Sequence, residues 1–270
     1  MPGTLYMLPN RIADRPVAET IPQGVLETAR RTRYFLAENA KSARLYLKEA
    51  GHPGPISALS ITEIGHEPDA SMIRSWLQPV LAGEDACIVS ESGCPGVADP
   101  GATLVAEAKR LGVRVVPMTG PCSIILTLMA SGLNGQRFRF LGYLPIDEAQ
   151  RTKAIQDLER QSRTPETQLF IETPYRNNRM LQALASSLSP DTLVTAATDV
   201  TGPDEAIRTR TAGEWLADPV ELPKLPTVFA VLARPGAHPR EGIKTRQGQP
   251  GKAHLPSGRT APARAKPGRH

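Results

Sequence analysis

Aromatic residues are scarce in this chain of 270 residues, since Phe, Trp and Tyr together make up only 4%. With 40% hydrophobic residues overall, the core must be built mainly from aliphatic side chains. No apolar run approaches the roughly 18–20 residues of a membrane-spanning helix, and the best candidate, Ile124–Ala130, contains Thr127. The first residues also lack the basic and apolar segments of a signal peptide. We therefore expect a cytoplasmic protein without a membrane partner.

Cysteine and histidine are also few. Cys87, Cys94 and Cys122 cannot all pair with one another, and none of them stands in a C-x-x-C motif. Before residue 235 the only histidines are His52 and His66, so no recognisable zinc-binding set exists. We expect thiols that are buried or lie in loops, and no metal.

Several common site motifs are missing. The first strand-like segment is not followed by G-x-G-x-x-G, which argues against a dinucleotide fold and against a Rossmann methyltransferase. There is no G-x-x-x-x-G-K-[ST] phosphate loop. With so few histidines, a Ser-His-Asp triad is not expected either.

Positive charge is concentrated at the C-terminus. Residues 235–270 hold eight Lys or Arg and one acidic residue, so this tail carries +7 and residues 1–234 carry −2. The tail has six Pro, six Gly and no aromatic residue, a composition that predicts disorder because it cannot bury enough apolar surface. It is either a basic arm that contacts phosphates or a solubilising segment with no partner.

Strand-like and helix-like segments alternate in the first half of the chain, which predicts a mostly parallel sheet with helices on its faces. The expected strands are Thr4–Leu8, Tyr34–Ala37, Cys87–Ser90 and Val113–Pro117. The expected helices are Lys41–Ala50, Ala70–Leu81, Thr103–Leu111 and Ser123–Ser131.

A second α/β domain is predicted beyond the turn-rich segment SGLNGQ. Its expected strands are Phe138–Leu141, Leu169–Ile171, Val194–Ala197 and Val228–Leu232, and its expected helices are Thr152–Arg160 and Arg176–Leu188. The sequence therefore predicts an N-terminal domain over residues 1–134, a C-terminal domain over residues 135–234 and a disordered tail over residues 235–270.

The segment Ser90–Gly101 is the strongest candidate for a functional loop. It joins a buried strand to a helix and holds three glycines and two prolines, with Gly101 as its last residue. Strand-to-helix loops are usually two to six residues long and rarely need so much glycine. Such loops bring the backbone close to a ligand at the carboxyl end of a parallel strand.

Two shorter segments also join a strand to a helix. Pro117–Ser123 could hold a ligand carboxylate or hydroxyl with its backbone N–H groups. The alternative there is simple capping by Thr119 or Ser123. In Phe170–Arg176, Thr-Pro is typical of a helix start, but capping does not explain the charges of Glu172 and Arg176.

These three segments resemble, in the same order, motifs of the tetrapyrrole-methylase superfamily, and within it of the family that methylates ribose 2′-hydroxyls of bacterial 16S ribosomal RNA. SESGCPGVADPG is similar to the signature S-D-A-G-x-P-G-x-S/A-D-P-G, PMTGPCS to P-x-P-G-P-S, and FIETPYR to F-Y-E-S-P-H-R. GTLYMLPN and FRFLGYLP are similar to the segments that open the two domains of the family. The resemblance spans residues 3–234.

The resemblance implies two α/β domains with an S-adenosylmethionine cleft between them, a methyltransferase fold without a Rossmann loop, and a homodimer. Carried over onto this chain, the cofactor-binding residues are Leu8, Pro9, Ser90, Glu91, Ser92, Gly93, Cys94, Pro95, Gly120, Pro121, Cys122, Ser123, Glu172 and Thr173. Outside these motifs the chain departs from the family. Residues 37–42 keep Glu38 but lack the aspartate and arginine of A-E-D-T-R-x-S, and residues 198–205 lack an arginine and a lysine of the family.

The implied acceptor is a ribose hydroxyl, which is a poor nucleophile and gains from a general base. Glu38, Lys41 and Glu172 are the catalytic candidates, with Glu91 as a further one, and a solvated or capping charge is the alternative for each. Ribosomal RNA or the 30S subunit is the expected partner. The alternatives are a methyltransferase acting on a small molecule such as a tetrapyrrole, and a non-catalytic RNA-binding relative.

Overall fold

A five-stranded parallel sheet forms the first half of the protein. The computed structural model describes residues 1–99 and 101–234. The strands of this sheet are β1 (Thr4–Leu8), β2 (Tyr34–Ala37), β3 (Ser60–Glu63), β4 (Ala86–Val89) and β5 (Arg114–Pro117), in the order β3-β2-β4-β1-β5. All of their pairings are parallel, so the predicted mostly parallel sheet is confirmed.

Helices cover both faces of this sheet. On one face lie α1 (Val17–Thr20), α2 (Gln23–Arg31) and α3 (Ala40–Glu49), and on the other lie α4 (Ile73–Trp76), α5 (Gln78–Leu81) and α6 (Ala102–Arg110). Side chains of β2 alternate between the two cores, with Phe35 in the first and Leu36 in the second. Every residue of β2 and β4 is buried, as expected for central strands of a covered parallel sheet.

The second half forms a mixed sheet. Its strands are β6 (Phe138–Tyr143), β7 (Thr167–Glu172), β8 (Leu193–Thr198), β9 (Ala206–Thr211) and β10 (Thr227–Leu232), in the order β6-β7-β10-β8-β9. Only the pair of β6 and β7 is parallel among the pairings described in this sheet. One face packs on α8 (Glu148–Ser162), α9 (Asn177–Ser187) and α10 (Ala212–Ala217) around Phe170 and Phe229.

The other face of the second sheet packs on α7 (Ser123–Ser131). Ile124 and Leu128 of α7 lie in one core with Leu169, Val228 and Ala230. Helix α7 therefore precedes the predicted boundary after residue 134 and yet packs on the second sheet, and the boundary itself stays a prediction. The predicted α/β class with two sheets is confirmed, while the tail, residues 235–270, lies outside the described residues.

The predicted elements differ from the structure at two sheet edges, at one proline, and at the helices α1, α2 and α10, which were not predicted. β3 and β9 are edge strands that hold polar residues, so their sequences did not stand out as strands. The expected helix Ala70–Leu81 is two short helices that meet at Leu77. Pro79 has no N–H to donate to the preceding turn, which explains the break. Within the part of the chain that is described, no helix is long and apolar enough to span a bilayer.

Candidate active site

Four loops meet at the carboxyl edge of the first sheet. They start at Pro9 after β1, Glu38 after β2, Ser90 after β4 and Met118 after β5. Because these strands are parallel, all four loops leave the sheet on the same side. This edge is where open α/β sheets bind ligands.

Asn10 ties two of these loops together. Its side-chain amide donates hydrogen bonds to the carbonyls of Ser90 (3.2 Å) and Glu91 (3.0 Å), and its backbone N–H donates to the carbonyl of Gly93 (2.8 Å). Asn10 is buried, so these bonds replace contacts with water. Asn10 ends the segment GTLYMLPN, but it was not among the predicted site residues.

Two glycines let the loops approach one another. Gly93 has φ +69°, a left-handed conformation that other residues rarely adopt. A Cβ atom on Gly120 would lie 2.2 Å from Cβ of Pro9, a distance that is not tolerated. The thiol of Cys94 joins these segments by donating to the carbonyl of Pro121 at 3.4 Å. The β1, β4 and β5 loops therefore form one wall.

A cavity of about 290 Å³ lies between this wall and the second sheet. The first half contributes Ile12, Ser92, Gly93, Cys94, Val97, Ala98, Asp99, Cys122, Ser123 and Ile124. The second sheet and its loops contribute Tyr143, Ile171, Glu172, Ala197, Val200, Pro226, Thr227 and Val228. The lining is mostly apolar with a few polar groups, as in small-molecule sites.

The structure brings some of the expected cofactor residues to the cavity and places others behind it. Ser92, Gly93, Cys94, Cys122, Ser123 and Glu172 line it directly. The other eight expected residues are not part of the lining. Five of them are buried, namely Leu8, Pro9, Ser90, Pro95 and Pro121. The remaining three, Glu91, Gly120 and Thr173, are not buried. Neither Thr119 nor Ser123 caps α7, whose N-cap residue is Cys122 without a side-chain cap, so capping does not explain this segment.

Glu172 reaches the cavity from the second sheet. One carboxylate oxygen accepts a hydrogen bond from the backbone N–H of Thr173 at 2.7 Å, and the other pairs with the Arg176 guanidinium at 2.6 Å. Both oxygens are therefore engaged, and this geometry suits a group that orients a ligand better than one that takes up a proton. The charges of Glu172 and Arg176, which capping could not explain, form this pair.

A second acidic group lies beside the cavity at the ends of β2 and β4. The side chain of Glu38 is only 3% exposed; one oxygen accepts from the backbone N–H of Glu91 at 2.8 Å and the other contacts Nδ1 of His66 at 2.5 Å. Nε2 of His66 lies 3.9 Å from the Glu91 carboxylate. Ligand atoms of these three residues lie within 4.8 Å of one another, but both oxygens of Glu38 are already engaged, and we assign no metal.

Asp99 connects this acidic group to the cavity that it lines. Burial, and after it the negative charge of Glu38, raise the pKa of Asp99 to about 7, while the Ser90 hydroxyl and the His66 imidazole oppose this rise. Lys41, by contrast, is exposed on the first turn of α3 and is not part of the cavity lining. Neither Asp99 nor His66 was among the site residues predicted from the sequence.

Comparison with known proteins then identifies the family. A family model described as Tetrapyrrole (Corrin/Porphyrin) Methylases matches residues 18–215, which is more than half of the chain. The chain belongs to the tetrapyrrole methylase family. Relatives of this tetrapyrrole methylase include ribosomal RNA small subunit methyltransferase I of Escherichia coli O157:H7, 31% identical over 80% of this chain and 71% of that protein. The protein of the same name from Pseudomonas aeruginosa is 32% identical over 68% of this chain and 60% of that protein.

Solved structures share the fold of this tetrapyrrole methylase. Uroporphyrin-III C-methyltransferase from Thermus thermophilus, complexed with S-adenosyl homocysteine, has a TM-score of 0.55 and 18% identity, covering 85% of this chain and 97% of that chain. The methyltransferase CobJ has a TM-score of 0.57 and 18% identity, covering 86% and 94%. This tetrapyrrole methylase is an S-adenosylmethionine-dependent methyltransferase.

The cavity of the tetrapyrrole methylase fits that methyl donor. Aliphatic side chains such as Ile12, Ile124 and Val228 offer an apolar surface for a nucleoside, and Ser92 and Ser123 offer hydroxyls. The donor is a sulfonium cation. The lining includes two carboxyl groups, of Asp99 and Glu172, and among the described lining residues no Lys or Arg opposes a cation.

The second-sheet residues of the tetrapyrrole methylase site were the hardest to foresee. Tyr143, Ala197 and Thr227 stand on three different strands, and only the pairing of β10 with β7 and β8 brings the last two near Glu172. Asp99 lies inside the motif Ser90–Gly101, so the signal for it was present in the sequence. His66 is one of only two histidines before residue 235, which was a weaker signal.

Proposed function

We propose that this methyltransferase transfers a methyl group from S-adenosylmethionine to a ribose 2′-hydroxyl of 16S ribosomal RNA. The observation that carries the proposal is the cavity between the two sheets, where all three family motifs converge. The relatives named ribosomal RNA small subunit methyltransferase I support RNA as the acceptor. The expected partner is therefore the 30S subunit, and the expected location is the cytoplasm.

The donor is proposed to lie against residues 90–95 and 120–123, with Leu8 and Pro9 beneath it and Glu172 and Thr173 on the opposite side. S-adenosylmethionine supplies a reactive methyl group, so the protein has mainly to align the acceptor. Positioning alone can contribute about 7–11 kcal/mol to lowering the barrier. Glu172, locked by Arg176 and Thr173, is proposed to orient a bound ligand.

The other catalytic candidates fall into two groups. Glu38 is buried and held by Glu91 and His66, which suits a positioning role. Lys41 is exposed and outside the cavity lining, so we propose that it contacts the phosphate backbone of the acceptor RNA.

The family also suggests a homodimer, which sedimentation equilibrium of the purified chain would test.

The direct test is ribose-methylation mapping of ribosomal RNA from cells that lack this protein. We expect the loss of one 2′-O-methyl mark, restored by the wild type and by Gly135→Ala but not by Gly93→Val. Gly93 has a positive φ and faces Ile12 at the cavity, whereas an added Cβ on Gly135 meets nothing within 4 Å. An unchanged methylation map, together with the loss of a methylated small molecule, would instead indicate the tetrapyrrole-type acceptor.

Truncation after Arg234 tests the basic tail. We expect the truncated protein to bind RNA more weakly. The slope of log K against log salt concentration should become shallower by about 0.7–0.9 for each phosphate that the tail neutralises, because each neutralised phosphate releases a counterion. Donor affinity should not change, since the described residues that line the cavity all lie between Ile12 and Val228 in the sequence. Filter binding of 16S ribosomal RNA over roughly 50–200 mM salt measures the slope. An unchanged slope, in a truncated protein that melts like the full chain, would leave the tail as a solubilising segment.

A further inference from the structure

Four titratable groups lie together at the carboxyl edge of the first sheet, beside the donor cavity. Glu38 follows β2, His66 follows β3, and Glu91 and Asp99 lie in the loop that follows β4. Asp99 is the member that also lines the cavity. Glu38 is buried, and the ring of His66, which contacts it, is 78% exposed. The group therefore runs from the cavity wall to solvent.

We propose that Asp99 is the general base of this methyltransferase, and that the Glu38–His66 pair positions it electrostatically and exchanges its proton with solvent. The proposal rests on the proposed function, because it requires an acceptor hydroxyl in the cavity. Glu172 also lines the cavity, but its oxygens are engaged by Thr173 and Arg176. Asp99 forms no ion pair with a Lys or Arg among the described residues.

Proton transfer to Asp99 accompanies methyl transfer in the proposed step. The acceptor hydroxyl gives its proton to the Asp99 carboxylate, and its oxygen forms a bond to the methyl carbon. The carbon–sulfur bond of the donor breaks, its electron pair stays on sulfur, and the positive charge of the sulfonium disappears. The products are the methyl ether, the neutral thioether and a protonated Asp99, whose proton then leaves through the exposed His66.

Electrostatics at Asp99 match this role. The groups that act on the charge of Asp99 are the carboxylates of Glu38 and Glu91, the imidazole of His66, the hydroxyl of Ser90 and the thiol of Cys94. Burial and the Glu38 charge hold the pKa of Asp99 at about 7, and burial raises the pKa of the Cys94 thiol, which stays neutral. A base whose pKa lies near the working pH is the most effective proton acceptor.

Asp99→Asn is the first test, with Asp157→Asn as the matched control. Asp157 lies on α8, is paired with Arg160 and is not part of the cavity lining. With 30S particles as acceptor, we expect Asp99→Asn to lower kcat about 100-fold or more. Donor affinity measured by calorimetry should fall by much less than kcat, because the substitution removes one of the two carboxyl groups in the cavity lining but all of the proton transfer. The control should keep both values.

Thermal melting gives a readout that does not depend on activity. The raised pKa means that the folded state holds the Asp99 proton more tightly than the unfolded chain, so ionisation destabilises the fold as the pH rises from about 4 to about 7. Asp99→Asn removes this effect. We expect the variant to melt roughly 2–5 °C above the wild type at pH 8 and at the same temperature near pH 4.

Glu38→Gln tests the positioning role. Removing the Glu38 charge lowers the pKa of Asp99, so the acidic limb of the kcat/KM profile should move to lower pH, whereas a merely structural role would lower the rate at every pH equally.

A wild type that is inactive on 30S particles would defeat the proposed function. A wild type that is active while Asp99→Asn stays within tenfold of it would overturn the general base. Loss of wild-type activity in EDTA, restored by Mg²⁺, would also overturn it, since the acidic group would then be a metal site.

Discussion

Gly120→Val should abolish donor binding while the protein stays folded. The added Cβ would lie 2.2 Å from Cβ and 2.4 Å from Cγ of Pro9, so the β1 and β5 loops must move apart. That movement also displaces Cys94, whose thiol donates to the carbonyls of Gly120 and Pro121. We expect the dissociation constant for S-adenosylmethionine, measured by calorimetry, to rise about 100-fold or more, which corresponds to about 2.7 kcal/mol.

Gly135→Val is the matched control for this substitution. An added Cβ there has no neighbour within 4 Å, and φ of Gly135 is not positive. It should therefore bind the donor like the wild type. Circular dichroism of both variants checks the fold. If Gly120→Val is folded and binds with the wild-type affinity, the donor lies elsewhere.

Phe229→Ala should destabilise the fold by about 3–5 kcal/mol, the range for large aromatic residues removed from a core. Phe229 stands on β10, the central strand of the second sheet, and is fully buried. Its ring stacks on Phe170 of β7 with centroids 5.4 Å apart and an angle of 18° between the planes. Such a pair adds about 0.5–1.5 kcal/mol beyond the area that it buries. Urea denaturation at equilibrium measures the change in the free energy of unfolding.

Phe138→Ala provides the comparison. Phe138 lies on the edge strand β6 and is 42% exposed, so we expect its removal to destabilise the fold by less than about 1 kcal/mol. Val228 and Thr227, next to Phe229 on β10, line the donor cavity. Phe229→Ala should therefore weaken donor binding as well. Equal destabilisation in the two variants would contradict the assignment of Phe229 to the core.

Strands and loops of the first half could be predicted from sequence because each buried strand is a short apolar run that ends in a motif. The resemblance to the family motifs placed Ser92, Gly93 and Cys122 at the site, and the cavity is lined by all three. The edge strands β3 and β9 were missed because polar residues interrupt their apolar pattern, unlike the edge strands β5 and β6. Helices α1 and α2 were missed because prolines precede both, and proline is typical both of the start of a helix and of a loop.

Contacts between distant segments set the limit on what could be predicted of the site. Asn10 meets Ser90 and Glu91 only because β1 pairs with β4. The contact between His66 and Glu38 likewise depends on β3 lying beside β2. Local sequence carries no information on such pairings. The residue types were therefore visible in the sequence, while the acidic group around Asp99 was not.

The place of β1 in its sheet has a consequence for how the chain is made. Leu5 pairs with Ala86 and Thr4 pairs with Arg114, so β1 lies between two strands that are synthesised well after it. At about 5–20 residues per second, the nascent β1 waits roughly 6–20 s for both neighbours. During that time Leu5, Met7 and Leu8 are apolar and uncovered, although all three are buried in the finished protein. The growing chain thus exposes an apolar segment for several seconds, of the kind that chaperones bind during translation.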